Sequence, residues 1–215
     1  MKESTAKEKI LKNIRNGLIQ TSAVPCNENI DLENQIFVQS EDEIDITFAK
    51  EFVKNGGKFI YCENFNEFTE EFTTLMSRED FTSKEILCKQ NDASKILIQA
   101  GIDYISTTKE STKIDIGICN CEYLISRTGT IIVSSGIEDS VKILSLSEIA
   151  IVIATPSQII PDIKISMQKL QDKYKNLPSV INYVSGPTLH YCFENKPSQG
   201  VGVKELYLIL IDNMY

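Results

Sequence analysis

Apolar residues along this chain come in two patterns, stripes at helical spacing and short continuous runs, and the two alternate. Between Glu3 and Leu18, Ile10, Ile14 and Leu18 form a stripe separated by Lys and Glu, which predicts an amphipathic helix. Thr21 to Asn34 is polar, contains Pro25 and reads as a linker; Ile36-Phe37-Val38 reads as a short strand. Asp45 to Lys54 has helical periodicity through Ile46, Ala49 and Val53, and Asn55-Gly56-Gly57 closes it as a C-cap. Lys58 to Cys62 predicts a buried strand. Asn64 to Met76 predicts a helix with Phe65, Phe68 and Phe72 on its core face. Glu85 to Cys88 predicts another strand, and Ala93 to Gly101 another helix.

The rhythm changes after Asp115-Ile116-Gly117-Ile118. Tyr123 to Ser126 and Thr130 to Ser135 read as two β segments around a turn at Arg127-Thr128-Gly129. Glu148 to Ala154 is apolar on both alternations, as a strand buried on both faces would be. Pro161 to Tyr174 reads as a helix with Pro near its start, Val180 to Val184 as a strand, Glu194 to Gly202 as a mobile loop, and Glu205 to Ile211 as the last strand. Strands alternating with helices make this an α/β protein, its sheet largely parallel in the first half. The expected organisation is a helix over 1–20, a linker over 21–34 and a single α/β domain over 35–215.

Composition narrows the function classes. Hydrophobic residues make up 42% and charged residues 24% of 215 positions, enough for one good core. The net charge is -8, with Lys and Arg mixed among the acids, so no basic face is offered to a nucleic acid. The longest apolar runs, Ile149 to Ala154 and Leu206 to Ile211, are too short to span a bilayer. The polar start Met1-Lys2-Glu3-Ser4 has no apolar h-region, and a cytoplasmic location is expected. Six cysteines (26, 62, 88, 119, 121 and 192) are expected as reduced thiols, with Cys119-Asn120-Cys121 as the one close pair. With His190 the single histidine, no metal centre or cofactor is expected.

Candidate chemistry gathers at two places. Arg127, Thr128, Gly129 and Thr130 offer a guanidinium fork, two hydroxyls and a glycine that lets main chain approach a carboxylate or phosphate. The alternative is that Gly129 makes a tight turn, Arg127 pairs with Glu122 or another acid, and the threonines are strand formers. Ser134 and Ser135, before Gly136, could add hydroxyl and N–H donors or simply end a strand. Ser185, Gly186, Pro187 and Thr188 follow a strand at its carboxyl end, where open α/β sheets place ligands. Glu194, Glu122 and Asp115 are the carboxylates near these motifs. His190 and Cys192 are two apart and share a face if that segment is extended.

Three segments resemble the LUD-domain family, the lactate utilization protein C type. Asp115 to Ser135 is similar to a signature in which an acidic, Gly-containing strand leads to an "ARTGT/S-hydrophobic-SS" run; Asn182 to Thr188 is similar to the family's "SGPS", and Lys204 to Asp212 to its closing strand. The resemblance implies a NagB/RpiA/CoA-transferase-like, Rossmann-type sheet with flanking helices and an additional β-rich segment. It also implies an accessory role beside iron–sulfur partner proteins that oxidise L-lactate, with a possible anionic small-molecule ligand at Arg127 to Thr130, Ser134, Ser135, Ser185 to Thr188 and Glu194. The chain departs from the family where Cys192 replaces an acid, and where Ser147 to Ala150 and Val201 to Val203 each lack a histidine. An enzyme acting on a CoA, sugar-phosphate or folate-type substrate, and an interaction module that has lost its site, are the alternatives.

Overall fold

The computed structural model describes residues 12, 42–79, 81, 84–89, 91–99, 101–106, 114–137, 139–191, 197–199 and 202–213. The helix expected over 1–20, save for Lys12, the linker over 21–34 and the strand at 36–38 lie outside them. Contacts divide the chain into residues 1–39 and 40–215, and the fold below is that of the second part.

Five strands form a parallel sheet: β1 (Lys58–Asn64), β2 (Ile86–Cys88), β3 (Ile114–Asn120), β6 (Ser147–Ala154) and β11 (Glu205–Asn213), in the order β1-β11-β6-β3-β2. The continuous apolar runs form the centre of it. Ile149, Ile151 and Ile153 of β6 point to one face and Ala150, Val152 and Ala154 to the other, all buried, and β11 alternates likewise. On the first face lie α2 (Phe65–Met76) and α3 (Asn91–Gln99), whose Phe68, Phe72 and Leu97 are fully buried. Asn64 caps α2, its Oδ1 accepting from the Glu67 N–H (3.0 Å). On the second face lie α1 (Ile44–Lys54) and α4 (Ser140–Leu146).

A second sheet, ordered β7-β4-β5-β8, is made of β4 (Tyr123–Ile125), β5 (Thr130–Ser134), β7 (Ile159–Ile160) and β8 (Ile181–Val184). It is mixed: β5 is antiparallel to β4 and β8, while β7 is parallel to β4. Leu124, Ile131, Val133 and Ile159 join the core under α1 and α4; Ile125, Ile132 and Ile160 face the other way and are covered by Leu170 of α5 (Ile163–Lys173). Asp162 starts α5, its Oδ1 accepting from the N–H groups of Lys164 (2.7 Å) and Ile165 (3.1 Å). Asp162→Ala should therefore cost about 1 kcal/mol, read as a melting temperature lower by roughly 2–4 °C. A separate antiparallel pair joins β9 (Leu189–Tyr191) to β10 (Pro197–Gln199).

Three expectations change, and a helix over 140–146 is added to them. The buried face of α1 is Phe48 and Phe52, stacked at 5.6 Å, whereas Ile46 and Val53 are exposed. Strand β1 is an edge, and of its side chains only Cys62 is buried. Within the stretch read as a mobile loop, 197–199 pair with β9. Among the described residues, no helix is long and apolar enough to cross a membrane.

Candidate functional site

The turn carrying the first motif is a single 3-10 turn, Ser126–Thr128, closed by Gly129 in the left-handed conformation (φ 57°). The second motif leaves β8 at Ser185. Strands β5 and β8 pair side by side, with Ile131 opposite Val184, and this brings the two motifs together. Thr128 Oγ1 and Thr130 Oγ1 lie 2.6 Å apart, and Thr130 Oγ1 and Ser185 Oγ 2.8 Å apart. Three hydroxyls thus form one chain from the first motif to the second. Thr130 is buried; Thr128 is half-buried and Ser185 exposed. Arg127 is half-buried, its Nε is buried, and its main-chain N–H donates to the Pro161 carbonyl (3.3 Å).

The glycines meet protein rather than open space. A Cβ on Gly129 would stand 2.3 Å from the Phe52 nitrogen and 2.5 Å from the Glu51 carbonyl carbon; one on Gly186 would stand 2.3 Å from the Asn55 carbonyl oxygen. The close approach that both glycines permit is made by the main chain of α1 and its C-cap. Thr188 donates its N–H to the Val203 carbonyl (2.8 Å), and Pro187 lies against Gly56.

The position of the second motif is a correction. Ser185 to Thr188 do follow the carboxyl end of a strand, but that strand belongs to the mixed sheet. Through Val203, and through the Lys204 N–H to Glu148 carbonyl bond (2.7 Å), this region borders the amino ends of β11 and β6. The rule for ligands at the carboxyl ends of parallel strands therefore does not apply to it.

Ser134 and Ser135 lie apart from the hydroxyl chain, about 13 Å away along β5. Ser134 belongs to a second cluster. Its Oγ donates to Glu122 Oε1 (2.5 Å) and accepts from the Gly136 N–H (3.0 Å). Tyr174 also donates to Glu122 Oε1 (2.6 Å), and Lys173 Nζ donates to Oε2 (2.7 Å). Ser135, on the surface, accepts from the Val180 N–H (3.2 Å). The Glu122 side chain has 0% exposure and that of Lys173 47%. Burial opposes the charge on Glu122, but hydrogen bonds from Lys173, Ser134 and Tyr174 outweigh it and hold its carboxyl below the ordinary range. Burial and the bond to Glu122 push the Tyr174 hydroxyl up; for Lys173 desolvation is more than offset by Glu122, and its ammonium is raised. A carboxylate holding three hydrogen bonds on its two oxygens is ionised at neutral pH, which suits a buried tie rather than a proton shuttle. Lys173 and Tyr174 were invisible as site residues in the sequence, since they stand 51 and 52 positions from Glu122. The Gln158 amide completes the surroundings by donating to the Cys121 carbonyl (2.7 Å).

Cys119 and Cys121 are buried. Desolvation pushes the Cys119 thiol up to about 12 and raises that of Cys121 as well, so both are protonated, unreactive thiols at neutral pH. Among the described residues, no group of three or more His, Cys, Asp or Glu side chains is placed to hold a metal ion. Asp115 accepts from the Glu85 N–H (3.0 Å), at the start of β3. Glu194 and Cys192 lie outside the described residues, and of His190 only its place in β9 is described.

A model of the LUD domain matches residues 46–211. No curated protein matches the chain. Among solved structures, a DUF162-family protein from Deinococcus radiodurans superposes with a TM-score of 0.62 at 15% identity, covering 81% of this chain and 99% of that one, and shows the same fold. Ribose 5-phosphate isomerase from Plasmodium falciparum matches with a TM-score of 0.33 at 12% identity, covering 61% of this chain and 64% of that one. Ribose 5-phosphate isomerase A from Methanocaldococcus jannaschii gives 0.32 and 13%, covering 65% and 79%.

Proposed function

We propose, for a chain that belongs to the LUD-domain family, that it is an accessory component of lactate utilisation, working in the cytoplasm beside iron–sulfur proteins that oxidise L-lactate. Its own contribution is to bind a small anion at Arg127, with the hydroxyl chain of Thr128, Thr130 and Ser185 supplying a donor. The observation that carries this reading is the convergence of the two family-like segments on one chain of hydroxyls that begins in the turn of Arg127.

The chemistry limits how an anion could sit there. The C-terminal end of α1 fills the space in front of Gly129 and Gly186, and that end of a helix carries partial negative charge. An anion would therefore meet the guanidinium and the hydroxyls, and not the glycine amides. The two bonds of the chain use two of the three hydroxyl protons, so one hydroxyl donates to the ligand while the chain stays intact.

Titration calorimetry with L-lactate, pyruvate and inorganic phosphate tests the pocket. A charge-assisted bond contributes about 1.5–3 kcal/mol, so Arg127→Ala should weaken the anion that binds by roughly ten- to hundredfold. An Arg127→Ala protein that binds it as well as the parent would remove the pocket. Capture of the tagged protein from cells grown on lactate tests the partnership. Co-purification of iron–sulfur proteins is expected, and a partnerless protein would overturn it.

A further inference from the structure

Asn55 enters the sequence as a helix stop and nothing more. In the fold it touches both motifs. Its Nδ2 donates to the Thr128 carbonyl (2.8 Å), and its own carbonyl oxygen is the atom that excludes a side chain at Gly186. Its N–H is held by Glu51 (3.1 Å) at the end of α1, and α1 is anchored by the fully buried Phe48 and Phe52. The helix end is thus a rigid arm and the Asn55 amide its tip. From that tip a continuous path runs through Thr128 and Thr130 to Ser185, and returns through Gly186 to Asn55.

We propose that Asn55 is a positioning residue. Its amide sets the 3-10 turn of Arg127 and Thr128 in register with Ser185 to Thr188, and so aims the guanidinium. The ligand half of this inference rests on the Arg127 reading above. The role requires a donor: a carboxylate of the same shape would face the Thr128 carbonyl and the negative end of α1 together. The Asn55 bond is solvent-exposed. Losing it should change the melting temperature little, while releasing the turn.

Asn55→Asp in the full chain, compared with the parent and with Asn55→Gln, provides the test. Amide hydrogen exchange at Gly129 and Thr130 should accelerate severalfold in Asn55→Asp and recover in part in Asn55→Gln, which keeps the donor. Binding of whichever of L-lactate, pyruvate or phosphate the parent takes should weaken about five- to tenfold, the effect of one hydrogen bond. Unchanged affinity in Asn55→Asp would overturn the positioning role and leave the Arg127 reading standing. If the parent takes none of the three, the Arg127 reading fails and exchange decides the rest: slow exchange in Asn55→Asp overturns the role of the amide, and fast exchange keeps it as the element that orders the turn.

Discussion

Lys173→Met should destabilise the protein by about 3 kcal/mol at neutral pH, more than Glu122→Gln, although the two substitutions break the same pair. The asymmetry follows from where each partner is left. Without Lys173, the Glu122 carboxylate remains at 0% exposure with a charge that water cannot reach. Without the Glu122 charge, Lys173 is already half in solvent and can extend into water. The Gln oxygen still accepts from Ser134 or Tyr174, and the expected cost is about 1–2 kcal/mol. The pH dependence separates the two cases. In the parent, the folded carboxyl titrates below its unfolded value because the bonds from its partners outweigh burial. Its contribution is fully present above the unfolded carboxylate range, near pH 4.3, and is lost as pH falls through the lower folded value. In Lys173→Met, burial opposes a charge that has lost its cation, and the folded carboxyl rises. That penalty is present above the raised value and is relieved on acidification. Urea unfolding at pH 7.5 and pH 5 should show the gap between parent and variant narrowing at the lower pH. A gap of constant width would mean that Glu122 does not depend on Lys173 for its ionised state.

Apolar runs were the most legible feature of the sequence, and specific contacts were the least. Runs as short and as rich in Ile and Val as Ile149 to Ala154 favour a strand with protein on both faces, so β6 and β11 follow from the local pattern. The stripe of α1 misleads because Ile46, Ala49 and Val53 and the pair Phe48 and Phe52 both fit a helical period. Burial goes to the two rings, which remove more apolar area from water. Helix α4, Ser-Val-Lys-Ile-Leu-Ser-Leu, combines serines and β-branched residues in seven positions. Local preference does not announce it, and packing of Ile143 and Leu144 against the sheet makes it. The meeting of Thr130 with Ser185 depends on pairing across 55 residues, and that of Glu122 with Lys173 on a contact across 51. The resemblance between motifs could flag the first of these, but no local pattern encodes the second.

Gly129→Ala should be the most damaging single-methyl addition in the domain, and Gly101→Ala separates its causes. Both glycines have left-handed backbone, with φ 57° and 67°. That conformation alone costs an alanine about 1–2 kcal/mol. Around Gly101 a new Cβ meets nothing within 4 Å, so strain is the whole effect there. At Gly129 the methyl would stand 2.3 Å from the Phe52 nitrogen and 2.7 Å from its Cα. Main-chain atoms of a helix cannot turn aside as a side chain can, so α1 must withdraw. Withdrawal loosens Phe48 and Phe52, each contributing about 1.5–3 kcal/mol by burial. The expected total exceeds about 4 kcal/mol, a melting temperature lower by roughly 10 °C, against a few degrees for Gly101→Ala. Equal melting temperatures for the two variants would show that the contact with α1 is not what requires glycine at 129. A fall in Gly129→Ala well beyond that of Gly101→Ala would identify this family-like turn as the seat of α1, the helix whose C-cap is Asn55.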